Sequence, residues 1–329
     1  MKKKVSVMVP CYNEVGNVEP IAAAIVAQME ALPQYDFELL FIDNCSTDGT
    51  RDRIRALCAG DRRIRAIFNV KNFGQFNSPF HALLQTTGDC AISICADFQD
   101  PVEMIPDFLR YWEEGYQIVC GVKTSSQESH LIYRLRTLYY RLLRRFSSVD
   151  IIEHFTGFGL YDRSFLDVLR RMDDPTPFLR GMVAELGGRR KEIPYEQPLR
   201  RSGKTHNNWY TLYDAAMLSV TSYTKAGMRL AVFGGAFFAV MNLLVGLVYL
   251  IMKLIYWDRF EAGQAPSVII TSLMGSILLC FMGFLGEYIS AINIRQMHRP
   301  LVVEEERLNF DEDGRDGKDG DHETTNEPA

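Results

Sequence analysis

Short apolar runs alternate with amphipathic stretches over the first 122 residues of the chain. The apolar runs predict β-strands at residues 5–10, 37–42, 64–68, 90–95 and 117–122, and the amphipathic stretches predict helices at 18–32, 50–58 and 103–114. Regular alternation of strands and helices is typical of a mostly parallel sheet with helices on both faces. The pattern therefore predicts an α/β, Rossmann-like fold for the first domain, residues 1–205.

Two long segments near the end of the chain carry no charge. One covers 23 residues at 230–252 and the other covers 25 residues at 262–286. Each exceeds the roughly 20 residues that a helix needs to cross a bilayer. We expect transmembrane helices at 230–252 and 267–290, joined by a short external loop at 253–266. A pair of buried helices in a large soluble core is the alternative.

Basic residues flank the outer ends of this pair of segments. Lys225 and Arg229 precede the first segment, and Arg295 and Arg299 follow the second. By the positive-inside rule, this distribution places the first domain and both termini in the cytoplasm. We therefore expect a plasma (inner) membrane protein with two spans, whose glycine-bearing helices could also support a homo-oligomer.

Residues 206–229 lead into the first expected span. Aromatic and aliphatic residues recur there at spacings of about three and four, which predicts a juxtamembrane amphipathic helix on the membrane interface. A core helix of the first domain would show the same pattern, and this alternative stays open. Residues 291–329 are strongly acidic and have no apolar period after Phe310, so we expect a disordered cytoplasmic tail there.

Composition narrows the class of partner. The 329 residues are 47% hydrophobic and 23% charged, with a formal net charge of −5. These values fit a folded protein and give no basic footprint for nucleic acid. The seven cysteines form an odd set without a C-x-x-C pair. Neither a zinc site nor a disulfide framework is indicated, and a reducing compartment fits best.

Polar residues cluster directly after the predicted strands, at 11–14, 43–50, 71–74 and 97–100. Ligands of parallel sheets bind beyond the carboxyl ends of the strands, so these segments predict a binding cleft. The G-x-G-x-x-G and G-x-x-x-x-G-K-[ST] motifs are absent from the sequence, which argues against dinucleotide and P-loop sites. Carboxylate and amide oxygens suit Mg²⁺ or Mn²⁺, and a hard cation in such a cleft usually neutralises a diphosphate.

Several motifs in these segments resemble those of family 2 glycosyltransferases with the GT-A fold. V-P-C-Y-N-E at 9–14, F-I-D-N-C-S-T-D-G-T at 41–50, K-N-F-G at 71–74 and A-D-F-Q-D-P-V-E at 96–103 occur in the family's order. They are followed by L-Y-D-R at 160–163, R-R-S-G-K-T at 200–205 and, after the apolar segments, R-P-L-V-V at 299–303. Together they look most like the membrane-anchored bacterial polyprenyl-phosphate and dolichyl-phosphate sugar transferases.

The resemblance implies an inverting, metal-dependent transfer of a sugar from a nucleotide-diphosphate donor, by default a UDP-sugar, onto a polyprenyl phosphate. The lipid-linked product would serve cell-envelope glycan modification. Asp97 and Gln99 would hold Mg²⁺ or Mn²⁺ and, with Asp100, form the catalytic set. The residues implied for nucleotide-sugar binding are Pro10, Tyr12, Asn13, Glu14, Asp43, Asn44, Asp48 and Lys71. Those implied for the donor and acceptor phosphates are Lys123, Arg134, Arg136, Arg200 and Arg201.

Some of these residues have a simpler structural explanation. Asp48 could cap the helix that follows it. Asp97 could be an ordinary turn residue after its strand, and Asp100 before Pro101 could mark a turn. The arginines after Lys123 could form a solvated helix face that touches anionic lipid headgroups.

The sequence departs from the family's motifs at three positions that matter for the chemistry. Cys95 stands at the first carboxylate of the D-x-D triplet, Asn44 at the second carboxylate of the nucleotide-pocket motif, and Gly157 where many relatives have Asp. Because a thiol is a poor ligand for Mg²⁺, a catalytically impaired membrane scaffold that binds a partner is the alternative function. A processive polysaccharide synthase lacks support, because the Q-x-x-R-W signature of such enzymes would need Trp after Arg200. A membrane-anchored transferase with a soluble acceptor stays open.

Overall fold

An eight-stranded sheet organises the α/β domain, with seven strands before the two long helices and one strand after them. The computed structural model describes residues 2–125, 152–172, 174–198, 217, 226–255, 264–297 and 299–310. Within them the strands are β1 (Lys3–Cys11), β2 (Tyr35–Asp43), β3 (Ile64–Asn69), β4 (Cys90–Ser93), β5 (Ile118–Ser125), β6 (Phe155–Asp162), β7 (Arg190–Glu196) and β8 (Glu304–Leu308). Their order across the sheet is β7-β5-β6-β4-β1-β2-β3-β8.

Most neighbouring strands of the sheet run parallel. β1 pairs in parallel with β2 and β4, β2 with β3, and β5 with β7. β6 is antiparallel to β4 and β5, and β8 is antiparallel to β3. As a result β1 to β5 and β7 end at one edge of the sheet, the edge formed by the ends of the strands, and β6 and β8 begin there. The expectation of a mostly parallel sheet is confirmed.

Helices cover both faces of this sheet. In the described residues they are α1 (Val18–Glu30), α2 (Thr50–Gly60), α3 (Gly74–Gln85), α4 (Ile105–Glu113), α5 (Arg163–Met172), α6 (Leu179–Leu186), α7 (Ala226–Ile255) and α8 (Gln264–Gln296). α1, α2 and α4 pack on one face, for example through Ile54 and Phe108. α3, α5 and α6 pack on the other face, for example through Leu166 and Met182. Helices on both faces are therefore confirmed.

The central strands are apolar without interruption because both of their faces are buried. In β1, Val7 and Val9 contribute to the core under α1 and α2, whereas Met8 between them contributes to the opposite core. All three are almost completely buried. Burial of a side chain of this size contributes roughly 1.5–3 kcal/mol, so both cores fix the sheet and the loops that leave it.

The sequence pattern missed β6, β7 and β8, and it made β4 too long. β6 contains two glycines, and β7 is a polar strand at the sheet edge with a proline inside it. Such compositions are unfavourable for strands except at edges and bends. β4 ends at Ser93 rather than at residue 95, because the chain leaves the sheet there to form the loop that carries Asp97.

The expectation of a disordered tail from residue 291 is wrong for its first part. α8 continues to Gln296, and β8 adds an antiparallel strand to the sheet beside β3. The backbone N–H of Val70 donates to the carbonyl of Val303 at 3.1 Å just before β8 begins. The three glutamates of β8 pair with basic side chains of α2 and α3, and these ion pairs explain why an acidic segment is ordered.

The two long helices cover the segments expected to span the membrane. α7 has 30 residues and α8 has 33. Among the described residues, one segment, Leu273–Ile294 within α8, is long and apolar enough to cross a membrane, and none of it is buried inside the structure. This result is compatible with the second expected span. It does not support the first span or the topology, so the two-span arrangement stays a prediction.

α7 approaches α8 closely at a glycine. A Cβ atom on Gly234 would lie 2.8 Å from Cζ of Phe281 on α8, which is closer than side-chain carbons come to one another. Gly234 therefore allows contact between the two helices, as small residues do in membrane helix pairs. The expected amphipathic helix at 206–229 and loop at 253–266 lie mostly outside the described residues.

Candidate active site

The loops that leave the carboxyl ends of β1, β2, β3 and β4 meet at one edge of the sheet, beside the end of β5. This edge carries Asn13, Asp43, Asp97 and Lys123. Parallel strands force their carboxyl ends together, so the structure brings together residues that lie up to 110 positions apart in the sequence.

The loop after β1 is tied to the loop after β2. The backbone N–H of Asn13 donates to Oγ of Ser46 at 2.8 Å, and Oδ1 of Asn13 accepts from the N–H of Thr47 at 2.8 Å. The N–H of Glu14 donates to Oγ1 of Thr50 at 2.9 Å. These bonds hold the predicted nucleotide-binding residues Asn13 and Glu14 next to the loop that begins at Asp43.

Asp48 joins the same two loops just before α2 begins. Its Oδ1 accepts from the N–H of Thr50 at 3.1 Å, and its Oδ2 accepts from the N–H of Val15 at 3.2 Å. Partial burial opposes ionisation, but the hydrogen bonds from Thr50 and Val15 outweigh it and lower the pKa of Asp48. The N-cap of α2 is Gly49 rather than Asp48, so Asp48 holds the loop before the helix, and a direct contact with a nucleotide stays a prediction.

Asp43 is completely buried at the end of β2. Its Oδ2 accepts from the N–H of Ser46 at 3.0 Å and lies 3.1 Å from Nε of Arg51. Its Oδ1 has no hydrogen-bond partner among the described residues. Burial raises the pKa of Asp43, although Ser46 and Arg51 oppose this shift. A buried carboxylate oxygen without a partner is costly unless a ligand supplies a donor.

Asn44, the next residue, uses its whole amide inside the protein. Its Nδ2 donates to Oδ1 of Asn72 at 2.9 Å and to the carbonyl of Gly74 at 3.2 Å. Its Oδ1 accepts from Nδ2 of Asn69 at 3.1 Å and from the N–H of Phe73 at 2.9 Å. Asn44 therefore fixes the loop between β3 and α3, and its polar atoms are not available to the nucleotide.

The remaining predicted nucleotide-binding residues lie around this pocket. Pro10, Tyr12 and Glu14 are partly buried at the end of β1, and Lys71 is exposed on the loop after β3. The ammonium group of Lys71 lies 5.0 Å from the centre of the Phe73 ring, within range of a cation–π contact.

A tight turn after β4 carries the predicted catalytic set. The N–H of Gln99 donates to Oδ1 of Asp97 at 3.1 Å, and the N–H of Cys95 donates to Oδ2 of Asp100 at 3.0 Å. Asp97 is 5% exposed and Asp100 is 3% exposed. The bond from Cys95 to Asp100 therefore closes the turn, and Asp97 and Gln99 lie within this turn at the edge of the sheet.

Asp100 is also joined to β7 and lies close to Lys123. The hydroxyl of Tyr195 donates to Oδ1 of Asp100 at 3.1 Å. Burial raises the pKa of Asp100, while the N–H of Cys95 and the charge of Lys123 oppose this shift. Burial lowers the pKa of Lys123, as does the nearby charge of Arg180, while Asp100 opposes the shift. Both oxygens of Asp100 accept bonds from the protein, so its contact with a donor sugar stays a prediction.

The sequence analysis missed three residues of this region. Tyr195 holds Asp100, Arg51 stands beside Asp43, and the charge of Arg180 acts on Lys123. Arg51 follows its motif directly and could have been considered for that reason. Tyr195 lies 95 positions from Asp100, and no local pattern connects the two.

Two departures from the family's motifs have different structural settings. Cys95 is exposed on the turn. Gly157 has a φ of 102° and its carbonyl accepts from the hydroxyl of Tyr161 at 2.8 Å. A Cβ on Gly157 would meet only Leu179, at 3.9 Å. Backbone conformation, rather than lack of space, therefore disfavours Asp at this position.

Three of the five described non-glycine residues with positive φ lie in these loops. Asn13, Cys45 and Phe98 have φ values of 55°, 65° and 62°, and each belongs to a loop that follows a strand of the candidate site. Asn tolerates this left-handed region, but for other residues it costs on the order of 1–3 kcal/mol. Such strain is retained where the conformation serves a site, which supports a functional role for this edge.

The donor atoms at this edge fit a hard divalent cation whose remaining coordination positions are filled by a substrate. Asp97 offers a carboxylate, and Gln99 beside it offers an amide oxygen. No group of three or more His, Cys, Asp or Glu residues that could hold a metal occurs in the described part of the chain. Mg²⁺ is commonly bound through one or two carboxylates together with substrate phosphates and water, and the residues present fit that pattern.

Four predicted phosphate-binding residues cannot be placed. Arg134, Arg136, Arg200 and Arg201 lie outside the described residues. Their roles stay predictions. Lys123 is the member of this group that the structure describes, and it lies within β5, near the carboxyl end of that strand.

Known proteins resemble this chain over most of its length. The family model for glycosyl transferase family 2 matches residues 6–170. The bactoprenol glucosyl transferase of Shigella phage SfV is 28% identical over 302 residues, which cover 91% of this chain and 97% of that protein. The prophage bactoprenol glucosyl transferase homolog of Escherichia coli (strain K12) is 29% identical over 302 residues, which cover 91% and 98%. Among solved structures, mannosyl-3-phosphoglycerate synthase from Rubrobacter xylanophilus is 21% identical with a TM-score of 0.48, over 70% of this chain and 75% of that one.

Proposed function

Because the chain belongs to glycosyl transferase family 2, we propose that it moves a sugar from a nucleotide-diphosphate donor onto a polyprenyl phosphate at the cytoplasmic face of the membrane. The observation that carries this proposal is the convergence of two buried carboxylates, Asp43 and Asp97, at one strand-end edge. Relatives named bactoprenol glucosyl transferases align with about nine-tenths of the chain. Bactoprenol is a polyprenol, and these names support the choice of acceptor.

Asp43 is suited to recognise the nucleoside. Its Oδ2 is held by Ser46 and Arg51, whereas its buried Oδ1 has no partner among the described residues. An N–H or O–H group of a nucleoside that bonded to Oδ1 would remove the penalty of an unsatisfied acceptor. We take a UDP-sugar as the first donor to test.

Asp97 and Gln99 would hold Mg²⁺ or Mn²⁺ against the donor diphosphate, where a divalent cation stabilises the departing nucleoside diphosphate. The protein itself fixes the geometry of this turn. Asp100 bonds the N–H of Cys95 and the hydroxyl of Tyr195, and so keeps the turn in place. Lys123 lies beside this turn and supplies a positive charge that favours phosphate oxygens.

The acceptor phosphate would act as the nucleophile. One of its oxygens attacks the anomeric carbon, the bond from that carbon to the donor diphosphate breaks, and the nucleoside diphosphate leaves with the electron pair. Attack from the face opposite the leaving group inverts the anomeric centre. A phosphate monoester is already ionised near neutral pH, so no carboxylate base is required and glycine is acceptable at position 157. Arg134, Arg136, Arg200 and Arg201 are proposed to hold the two anions in line.

The path of the chain supports a site close to the membrane. α8 ends at Gln296, and β8 begins at Glu304 on the edge of the sheet that carries the site. Eight residue steps span at most about 29 Å when fully extended. The end of the apolar helix therefore lies within that distance of the start of β8, which suits an acceptor whose phosphate sits at the membrane surface.

A transfer assay with a matched pair of variants tests the proposal. Undecaprenyl phosphate in detergent is incubated with radiolabelled UDP- and GDP-sugars and with Mg²⁺ or Mn²⁺. We expect a labelled lipid that is lost on chelation and falls by about 10²-fold or more in Asp97→Asn. Asp107→Asn, which alters an exposed carboxylate paired with Arg110 on α4, should keep full activity. A labelled lipid that persists in folded Asp97→Asn protein would contradict the assignment of the site.

Cys95 favours a second candidate function, that of a catalytically impaired scaffold. A thiol stands where the motif has a carboxylate, and thiols are poor ligands for Mg²⁺. This candidate predicts that folded wild-type protein neither transfers sugar nor binds nucleotide, and that Asp97→Asn leaves the cellular effect of the protein unchanged. Calorimetry with UDP and GDP separates the two candidates, since the enzyme must bind one of them.

A further inference from the structure

The strand that follows the apolar helix α8 is fastened to the domain by three consecutive glutamates. Glu304 lies 2.5 Å from Nε2 of His81, Glu305 lies 2.6 Å from Nη2 of Arg51, and Glu306 lies 2.8 Å from Nη2 of Arg55. His81 belongs to α3, and Arg51 and Arg55 belong to α2. β8 thus docks by charge on helices from both faces of the sheet.

Arg51 differs from the other two partners because it also reaches the candidate nucleotide pocket. Its Nε lies 3.1 Å from Oδ2 of Asp43, and its Nη2 donates to the carbonyl of Asn69 at 3.2 Å. The same Nη2 bonds to Glu305, and the guanidinium lies 5.2 Å from the centre of the Phe68 ring. One side chain therefore joins the ends of β2 and β3 to the beginning of β8.

The consequence for Asp43 follows from the flexibility of arginine. A free arginine side chain loses rotamer entropy when it is fixed, and a lone contact with Asp43 must offset that loss by itself. Nη2, at the far end of the guanidinium, donates to Glu305, while Nε lies 3.1 Å from Oδ2 of Asp43 in an ion pair. With Oδ2 held in this way, Oδ1 is the oxygen of Asp43 that has no hydrogen-bond partner among the described residues.

We propose that Glu305 and Arg51 are positioning residues of the donor pocket, so that docking of the strand that follows the apolar helix sets the affinity for the nucleotide-sugar. This inference rests on the proposed function, in which Asp43 contacts the nucleoside. It links the segment that leaves α8 to donor binding through two side chains, without either of them touching the reacting atoms.

The adjacent pair Glu306 and Arg55 provides a matched control. It joins the same strand to the same helix, one turn further along α2. Arg55 pairs with Glu306 and with Asp52 at 3.3 Å, and its described contacts do not include Asp43. A variant at Glu306 therefore weakens the docking of β8 to a similar degree but leaves the contact between Arg51 and Asp43 intact.

The experiment compares Glu305→Ala with Glu306→Ala in the full chain in detergent. Calorimetry with the nucleoside diphosphate, and KM for the donor in the transfer assay, are measured alongside Tm. We expect Glu305→Ala to raise Kd and KM by about tenfold, which corresponds to about 1.4 kcal/mol, with kcat within a factor of about two. Glu305→Gln, which keeps an acceptor for Arg51, should recover part of the loss. Glu306→Ala should lower Tm to a similar extent and leave Kd unchanged.

A double-variant cycle shows whether Glu305 acts through Arg51. In an Arg51→Ala background, adding Glu305→Ala should change Kd no further, because the side chain that links Glu305 to Asp43 is already absent. Equal Kd values for Glu305→Ala and Glu306→Ala, or additive effects in the cycle, would overturn the inference while the proposed function stands. Absence of any nucleotide binding by folded wild-type protein would overturn both, so the two failures are distinguishable.

Discussion

The hydroxyl of Tyr195 donates a hydrogen bond of 3.1 Å to Oδ1 of Asp100 and thereby joins β7 to the turn that follows β4. Asp100 is 3% exposed, and its other oxygen bonds the N–H of Cys95. The turn that contains Asp97 and Gln99 is therefore supported by β7, the outermost strand on one side of the sheet.

Replacing Tyr195 by Phe should weaken both stability and activity. The change leaves Oδ1 of a buried carboxylate without its donor, which costs about 1–3 kcal/mol. Tyr35→Phe is the matched control, because that hydroxyl bonds Glu113 at 2.6 Å from the opposite end of the sheet. Chemical unfolding and the transfer assay check the pair. A loss of activity in Tyr35→Phe as large as in Tyr195→Phe would count against a specific role for the bond to Asp100.

Glu38 should make the domain sensitive to acid. This buried carboxylate accepts from Ser6 and Thr87 and pairs with Lys4 at 2.7 Å. Burial opposes ionisation, but the hydrogen bonds from Lys4, Ser6 and Thr87 outweigh it and lower the pKa of Glu38 from 4.5 to about 2. A lowered pKa means that the stabilisation is complete above pH 4.5 and is lost as the pH falls towards 2.

The variant Glu38→Gln tests this linkage. It should lower the free energy of unfolding by about 3 kcal/mol at pH 7. Between pH 5 and pH 3, its stability should fall less steeply than that of the wild-type protein. Glu30→Gln, at an exposed position of α1, serves as the control and should leave the profile unchanged. Parallel profiles for wild-type and Glu38→Gln protein would show that another group governs acid unfolding.

Restoring the family's carboxylate with Gly157→Asp should damage the protein. Gly157 has a φ of 102°, and a side chain in this region costs roughly 1–2 kcal/mol. We expect a lower Tm and no gain in activity. Gly60→Ala, at a helix end where a Cβ meets nothing within 4 Å, should be neutral or slightly stabilising. A more active Gly157→Asp variant with unchanged Tm would contradict this explanation of the departure.

Restoring the family's carboxylate with Asn44→Asp should also destabilise the protein. Asp would keep the acceptor for Asn69 and Phe73 but would lose both donors, to Asn72 and to the carbonyl of Gly74. Two lost hydrogen bonds cost about 1–3 kcal/mol together, and the loop that carries Lys71 should loosen. Asn44→Asp is therefore expected to lower Tm and to raise the donor KM, as measured by calorimetry and the transfer assay. An Asn44→Asp variant with wild-type Tm and a tighter donor would instead favour direct contact with the nucleotide.

The central sheet could be predicted because β1 to β4 are buried on both faces and read as apolar runs. β8 could not be predicted, since its ordering depends on ion pairs with residues more than 200 positions away, such as Glu304 with His81 and Glu305 with Arg51. Local periodicity has no access to partners at that separation.

The position of the candidate site could be predicted from the sequence, but the roles of its individual residues could be predicted less well. Asp43 and Asp97 lie at strand ends, and parallel topology brings such ends together. Asn44, Asp48 and Asp100 lie there too, yet their polar atoms bond to the protein itself. A sequence motif shows that a polar group is present at a position, but the surrounding backbone decides whether that group faces a ligand or supports a loop.

The most direct test of the central claim is a comparison of acceptors. Wild-type protein in detergent is given labelled UDP-sugar together with undecaprenyl phosphate, undecaprenol or a short water-soluble prenyl phosphate. The account predicts a labelled lipid with undecaprenyl phosphate, at least about 10²-fold less product with undecaprenol, which lacks the ionised nucleophile, and release of one nucleoside diphosphate per sugar transferred. Equal transfer to undecaprenol, or transfer only to a water-soluble acceptor, would contradict the account.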